Sequence, residues 1–302
     1  MAKANVRRIT VGIPSYNERQ NISNLLQAIE EQHTQIFEVL ISDDSSDNTP
    51  SLVRNFALHS LLDIQLFHHD TRRGAAAAWN EIIQRAAGDI IVLYDADIIP
   101  HPSCTEKLAS HIQGDVGICA SNSQPVQAAG IAGRASVFIS EWLRSVRLAQ
   151  LSQYTVMGRA LAISSGEAKK VEIPTNVIAI DLYMQCKILE MGRDVIYNDN
   201  AMVFFKPANN IYDLASQVVR AVNGHKQIKD YVSSSGIGLP RQVAIANAVK
   251  NAAKDPLGAL SVAMGYLLIP YYKSRIEHTD TAKWHTAASS KAIDYQQLKT
   301  RF

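Results

Sequence analysis

Five short apolar runs punctuate the first 121 residues: Ile9–Pro14, Glu38–Asp43, Ile64–His68, Asp89–Tyr94 and Val116–Ala120, each rich in Ile, Val or Leu. Runs this short that do not alternate with polar positions predict strands buried on both faces, as in a parallel sheet. Between the runs the spacing becomes helical. Ile22, Leu25, Leu26 and Ile29 share one face, with Glu30 and Glu31 beyond it, so their expected role is core packing. This alternation predicts an α/β fold, a mainly parallel sheet flanked by helices. Past Gly133 the pattern is less regular, with a long helix Ser136–Leu151, a short strand Leu161–Ile163, a helix Asp181–Met191 and a strand Ala201–Phe205. From Pro240 the chain reads as an amphipathic helix, then Pro256, then an apolar run Leu257–Tyr272. The expected organisation is one large domain over 1–232 and a helical C-terminal appendage over 233–302.

Composition narrows the picture. With 302 residues, 47% of them hydrophobic, the chain can bury the core of one large α/β domain. Lys and Arg number 30 against 28 Asp and Glu, which lacks the basic excess of a nucleic-acid-binding protein, so no nucleic-acid partner is expected. Cys104, Cys119 and Cys186 are far apart with no C-x-x-C spacing. That pattern suits a reducing compartment and neither a disulfide framework nor a zinc site. Residues 1–8 carry basic side chains but lead into Ile9–Ile13 and Pro14 without the apolar core of a signal peptide, so a cytoplasmic location is expected. Leu257–Tyr272 is shorter than the about 20 residues a membrane helix needs. Tyr266, Tyr271 and Tyr272, with eight Lys and Arg against four Asp and Glu over 250–302, suit peripheral contact of 240–276 with the cytosolic membrane face. A helix closed over the domain, or a dimer contact, fits the same residues.

Candidate chemistry lies where the predicted strands end, because open α/β sheets bind ligands at their carboxyl edge. The fourth strand ends in Asp95-Ala96-Asp97, an oxygen-rich pair suited to magnesium or manganese shared with substrate phosphates. The first ends in Pro14-Ser15-Tyr16-Asn17-Glu18 and the second in Asp43-Asp44-Ser45-Ser46-Asp47. The Tyr16 ring can stack on a nucleobase and the Asp44 carboxylate can accept from a base or ribose. Of the acidic run, Ser46 and Asp47 are expected to cap the following helix, and Asp43 and Asp44 to bind.

The segments IPSYNE, SDDSSDNT, RRGAAAAWN and GDIIVLYDAD, in that order, resemble glycosyltransferase family 2 over roughly residues 9–225. The resemblance implies a Rossmann-like GT-A fold and inverting transfer from a UDP- or GDP-sugar, assisted by a divalent cation, Mn2+ or Mg2+. It places Pro14, Tyr16 and Asp44 at the nucleoside, with Glu18 and Asp43 beside them. It also places Arg72, Arg73 and Gly74 along the nucleotide pocket, Asp95 and Asp97 at the metal and donor, and Asp181 as the general base.

Three departures bear on that expectation. Ile180 stands where many members have Glu before the base. Phe204, Phe205 and Lys206 stand where many metal-dependent members place a His, and a lone His225 lies further on. Gln217-Val218-Val219-Arg220 is followed by Ala221 rather than Trp, which disfavours processive synthesis. The expected acceptor is a hydroxyl of a glycan or lipid-linked glycan, since an ionised phosphate would not need Asp181. The stretch Asn17 to Ile22 is similar to dolichyl-phosphate mannosyltransferases, which keeps a polyprenyl-phosphate acceptor as the alternative. A non-catalytic nucleotide-sugar-binding protein is the rival of another class. A nicotinamide dehydrogenase would need G-x-G-x-x-G after the first strand, which is absent.

Overall fold

The structure, a computed structural model, describes residues 7–151, 158–237, 240–276 and 292–300. Strands β1 (Ile9–Ser15), β2 (Glu38–Asp43) and β4 (Ile90–Tyr94) are buried at every position, as their continuous apolar runs require. The half-buried β3 (Ile64–His68) forms the sheet edge. With β5 (Ile98–Pro100), β6 (Val116–Pro125), β7 (Ala160–Ser164) and β8 (Asp194–Phe205), the sheet order is β3-β2-β1-β4-β7-β6-β8-β5. The first four strands in that order run parallel, with Ser15 opposite Asp43 and Asp43 opposite His68. β7 is antiparallel to both β4 and β6, and β5 is antiparallel to β8.

Helices cover both faces. On one side α1 (Ile22–Glu30), α2 (Thr49–Ala57) and α4 (Cys104–Ala109) place Leu25, Leu26, Ile29, Val53 and Leu108 in a core with Val11, Ile13 and Val92. On the other, α3 (Ala75–Arg85) and α7 (Ile180–Glu190) bury Trp79, Ile82, Ile83, Met184 and Ile188 against Leu40 and Leu93. A Cβ on Gly12 would lie 2.5 Å from Ile82 Cγ2 and 2.8 Å from Leu93 Cδ2. Glycine there lets α3 settle onto the backbone of β1, which fixes the start of α3 at the sheet's carboxyl edge. The three cysteines are buried and unpaired. Burial pushes the thiols of Cys104 and Cys119 up to about 12 and raises that of Cys186.

The second half departs in detail from the sequence reading. Helix α5 (Gly130–Val146) begins six residues before the predicted start and ends in a π-helical turn, Arg147–Leu151. β6 and β8 extend well beyond the predicted Val116–Ala120 and Ala201–Phe205, and the short β5 and α6 (Ser165–Ala168) were not expected. After α8 (Ile211–Gln227) and α9 (Lys229–Ser234), the helices α10 (Arg241–Lys254) and α11 (Pro256–Ile276) return to the main body. α11 packs on α5 and α8, and α10 packs on α5, where Trp142 Nε1 donates to the Ala244 carbonyl at 3.2 Å. Finally α12 (Tyr295–Lys299) brings Tyr295 and Leu298, with Ile293 just before it, onto Ala28, Ile99 and Val126. Helices α10, α11 and α12 are therefore docked on the main body. Leu257, Leu260, Met264, Leu267 and Tyr271 on α11 remain exposed. Among the described residues no helix is long and apolar enough to cross a membrane.

Candidate active site

The loops leaving β1 and β2 are joined by Asn17, which adopts a left-handed φ of 55°. Its Oδ1 accepts from the backbone N–H groups of Ser46 at 2.9 Å and Asp47 at 3.3 Å, while its own N–H donates to Ser45 Oγ at 2.7 Å. Asn and Asp tolerate this conformation better than other side chains. Asp47 Oδ1 accepts from the Thr49 N–H at the start of α2 at 2.9 Å, the capping role expected of it. Ser46 binds Asn17 instead of capping.

Asp44 organises the next layer. Its carboxylate accepts from the N–H groups of Arg73 at 2.6 Å and Gly74 at 3.0 Å, and from Arg73 Nε at 3.0 Å. Gly74 has φ 94°, ψ 167°, a conformation essentially reserved for glycine, and it turns the chain into α3. Arg73 also reaches Glu81 Oε2 at 2.9 Å, which takes further bonds from Ser42 Oγ at 2.8 Å and His69 Nε2 at 2.9 Å. Burial opposes ionisation of Glu81, but these donors outweigh it and hold its carboxyl below the usual range. Pro14, Ser15, Tyr16, Asp44, Arg72 and Gly74 line the resulting cleft. The Arg72 guanidinium stacks 3.9 Å from the Tyr16 ring centroid. Ser15 Oγ and Arg72 Nη2 are buried there with no hydrogen-bond partner.

Two expected contacts stand elsewhere. Asp43 is fully buried, accepting from His68 Nδ1 at 2.7 Å and Ser45 Oγ at 2.5 Å. It therefore braces the loop from beneath and does not line the cleft. Glu18 accepts from Asn21 Nδ2 at 3.0 Å, and its N–H donates to Thr49 Oγ1 at 2.9 Å. It does not line the cleft beside Tyr16.

A second cavity of about 130 Å³ shares Pro14 with this cleft, and Trp79, Asp95, Arg159, Ile180, Asp181 and Arg220 line it. Asp95 and Asp97 leave β4 as expected. The Asp95 N–H donates to the Arg159 carbonyl at 2.8 Å, and Arg159 Nη1 lies 3.5 Å from Asp97 Oδ1. Burial and the neighbouring Asp97 charge push Asp95 up to about 7, against the pull of Arg159 and Arg220. Asp181 sits in the first turn of α7, where Gly158 N–H donates to its Oδ2 at 3.0 Å. Burial raises its carboxyl, opposed by the backbone N–H of Leu182 and the Arg220 charge.

The donor set fits a magnesium or manganese ion. Among the described residues no third acidic, His or Cys side chain joins the pair, and such ions commonly take one or two carboxylates and complete their shell with substrate phosphate and water. His225 is exposed and spends Nδ1 on the Ala221 carbonyl at 2.8 Å.

Sequence reasoning passed over three residues of this cavity as site residues. Arg220 was visible only as part of Gln217-Val218-Val219-Arg220, and burial lowers its otherwise high basicity while Asp95 and Asp181 restore it. Trp79 is 5% exposed, with its indole N–H unpartnered, although buried indoles usually find an acceptor. In the sequence it was visible only as the Trp of RRGAAAAWN. Arg159 carried no motif.

With this geometry in place, comparison with known proteins shows what the chain is similar to. Residues 10–154 match the model of glycosyl transferase family 2. The glycosyltransferase AglE of Haloferax volcanii is 33% identical over 109 residues, 35% of this chain and 36% of that protein. The dolichol-phosphate mannosyltransferase of Pyrococcus furiosus is 30% identical over 108 residues, covering 35% and 30%. The chain thus spans about a third of the length of these relatives. Among solved structures, the mannosyltransferase PcManGT from Pyrobaculum calidifontis, in complex with GDP-Man and Mn2+, superposes with a TM-score of 0.59 at 22% identity, over 91% of this chain and 85% of that one. S. aureus TarS 1–349 in complex with UDP-GlcNAc does so with a TM-score of 0.53 at 16% identity, over 92% and 93%. The likeness to glycosyl transferase family 2 is carried by the segment 10–154, and the architecture of the chain is the GT-A fold of these solved structures.

Proposed function

We propose that the protein transfers a sugar from a UDP- or GDP-sugar to a hydroxyl of a glycan or lipid-linked acceptor, with inversion at the anomeric carbon. The observation that carries this reading is the single cavity that brings Asp95, Asp181 and Arg220 together beside the Tyr16–Asp44 cleft. We assign the nucleoside to the cleft lined by Tyr16, whose ring carries the Arg72 guanidinium, and by Ser15, whose Oγ is unpartnered. The diphosphate then lies toward Asp95 and Asp97, and the sugar enters the shared cavity. A divalent cation bound there by Asp95, Asp97 and phosphate would supply charge to the departing diphosphate.

Asp181 faces the cavity with a carboxyl raised by burial, and a more basic carboxylate is a better proton acceptor. It takes the proton of the acceptor hydroxyl as that oxygen bonds to the anomeric carbon. The bond from that carbon to the diphosphate oxygen breaks, and the nucleoside diphosphate leaves with the electron pair. Arg220, on the same cavity, is placed to meet that negative charge. Ile180, where a Glu was expected, is buried and gives the acceptor side an apolar wall.

The experiment is release of nucleoside diphosphate from a panel of UDP- and GDP-sugars with glycan acceptors, in manganese or EDTA. One donor should turn over, and Asp181→Asn should lower turnover about 10²- to 10⁴-fold while donor binding stays intact. Undiminished turnover would remove Asp181 from the base role. The likeness to the dolichol-phosphate mannosyltransferase supports one other acceptor, polyprenyl phosphate. With it, Asp181→Asn would keep most of its activity, because that acceptor brings no proton to remove.

A further inference from the structure

We propose that Arg159 is a resident counter-ion for the Asp95–Asp97 pair, weakening metal binding by the free protein and giving the donor diphosphate a guanidinium to bind. The inference rests on the reading that the diphosphate lies at these carboxylates. Arg159 is held there by more than an ion pair. Its carbonyl accepts the Asp95 N–H at 2.8 Å, and the next residue, Ala160, begins β7 opposite Tyr94 at the end of β4. Its φ of 71° is a left-handed conformation that a long non-glycine side chain rarely adopts. Such strain persists where the surrounding structure imposes it.

The side chain is equally constrained. The Arg159 guanidinium carbon lies 3.8 Å from the centroid of Phe205, and Nη1 lies 3.5 Å from Asp97 Oδ1. Phe205 belongs to the segment where a metal-binding His was expected. A phenyl ring cannot ligate a metal, but its face holds a cation. Phe205 therefore supplies a platform for a fixed positive charge beside the two carboxylates. The guanidinium does not lose its proton in proteins, so a divalent ion approaching Asp97 must work against it. The same planar fork matches phosphate oxygens, and a diphosphate arriving at the pair meets Arg159 on one side and Arg220 across the cavity.

The test measures Mn2+ alone by titration calorimetry against wild type, Arg159→Gln and Phe205→His, with circular dichroism to establish folding. It then measures UDP and GDP in EDTA. Arg159→Gln should bind Mn2+ about tenfold more tightly and bind the preferred nucleoside diphosphate about tenfold more weakly in EDTA. Phe205→His, which removes the platform and restores a ligand, should also tighten Mn2+ binding. Equal or weaker Mn2+ binding by both variants overturns the proposal. If only one variant folds, its Mn2+ affinity decides the matter. Should no nucleoside diphosphate bind under any condition, the glycosyltransferase reading falls, while the Mn2+ comparison still decides the role of Arg159.

Discussion

Asp95 and Trp79 show how single side chains can report on the proposed donor site. Because the folded protein raises Asp95 from its ordinary 3.8 to about 7, between those values it holds a proton that the unfolded chain releases. The metal-free fold therefore loses stability as pH rises through this window, and Asp95 is ionised at a cost above it. Asp95→Asn should raise the melting temperature of the metal-free protein at pH 8 by at least about 2–4 °C, about 1 kcal/mol for a chain of this size. The gain should vanish toward pH 4, and a thermal-shift series in EDTA checks it. Trp79 offers a hydrogen atom and no lone pair, so its unpartnered N–H is suited to an acceptor atom on the bound sugar. Trp79→Phe keeps the ring in the core and removes that donor. The expected result is a kcat/KM for the sugar donor lowered about tenfold, as for the loss of one hydrogen bond, with affinity for the bare nucleoside diphosphate unchanged. A uniform loss for both ligands would mean that the indole serves packing alone.

Between elements, the proposed nucleoside cleft forms where the ends of β1 and β2 meet the start of α3. Arg73 spans β2 and α3, with Asp44 at one end and Glu81 at the other. Glu81→Gln weakens the charge-assisted bonds from Arg73, Ser42 and His69 without touching the cleft, so it should raise the donor KM several-fold with kcat little changed. Steady-state kinetics separates the two, and an unchanged KM would show that Asp44 holds the loop unaided. This network also marks what the sequence could disclose. β1, β2 and β4 were legible because strands buried on both faces leave continuous apolar runs, and the expected Glu38–Asp43 and Ile64–His68 match the observed β2 and the half-buried β3. The positions of Asp44, Asp95 and Asp97 at the sheet's carboxyl edge were legible because these residues follow β2 and β4. Asp43 was misassigned because two adjacent aspartates look alike in sequence, whereas the strand's alternation sends one inward to His68 and the other outward to Arg73. The Arg159–Asp97 pair was hidden because β7 enters the sheet antiparallel beside β4, a neighbour relation 62 positions apart that no local pattern encodes.

At the scale of the whole molecule, the last described helix fastens a distant stretch of chain to the first. Tyr295 is 2% exposed, donates to Glu31 Oε2 at 2.7 Å and packs with Ala28 and Ile99. Tyr295→Ala should therefore destabilise the protein by about 3–5 kcal/mol, as for other large aromatic truncations. Tyr295→Phe should cost only about 1 kcal/mol for the lost bond, and chemical denaturation distinguishes the two. If Tyr295→Ala unfolds like wild type, the docking contributes little. The three cysteines carry a consequence of a different kind. Alkylating reagents attack thiolates, and at pH 8 the thiols of Cys104 and Cys119, pushed up to about 12, supply almost none even to a reagent that could reach them. These sulfurs lie in α4 and β6, so labelling should advance only when that part of the fold opens. The rate of alkylation under native conditions then counts openings, giving the protein a built-in clock for measuring how tightly any donor, ion or acceptor holds it shut.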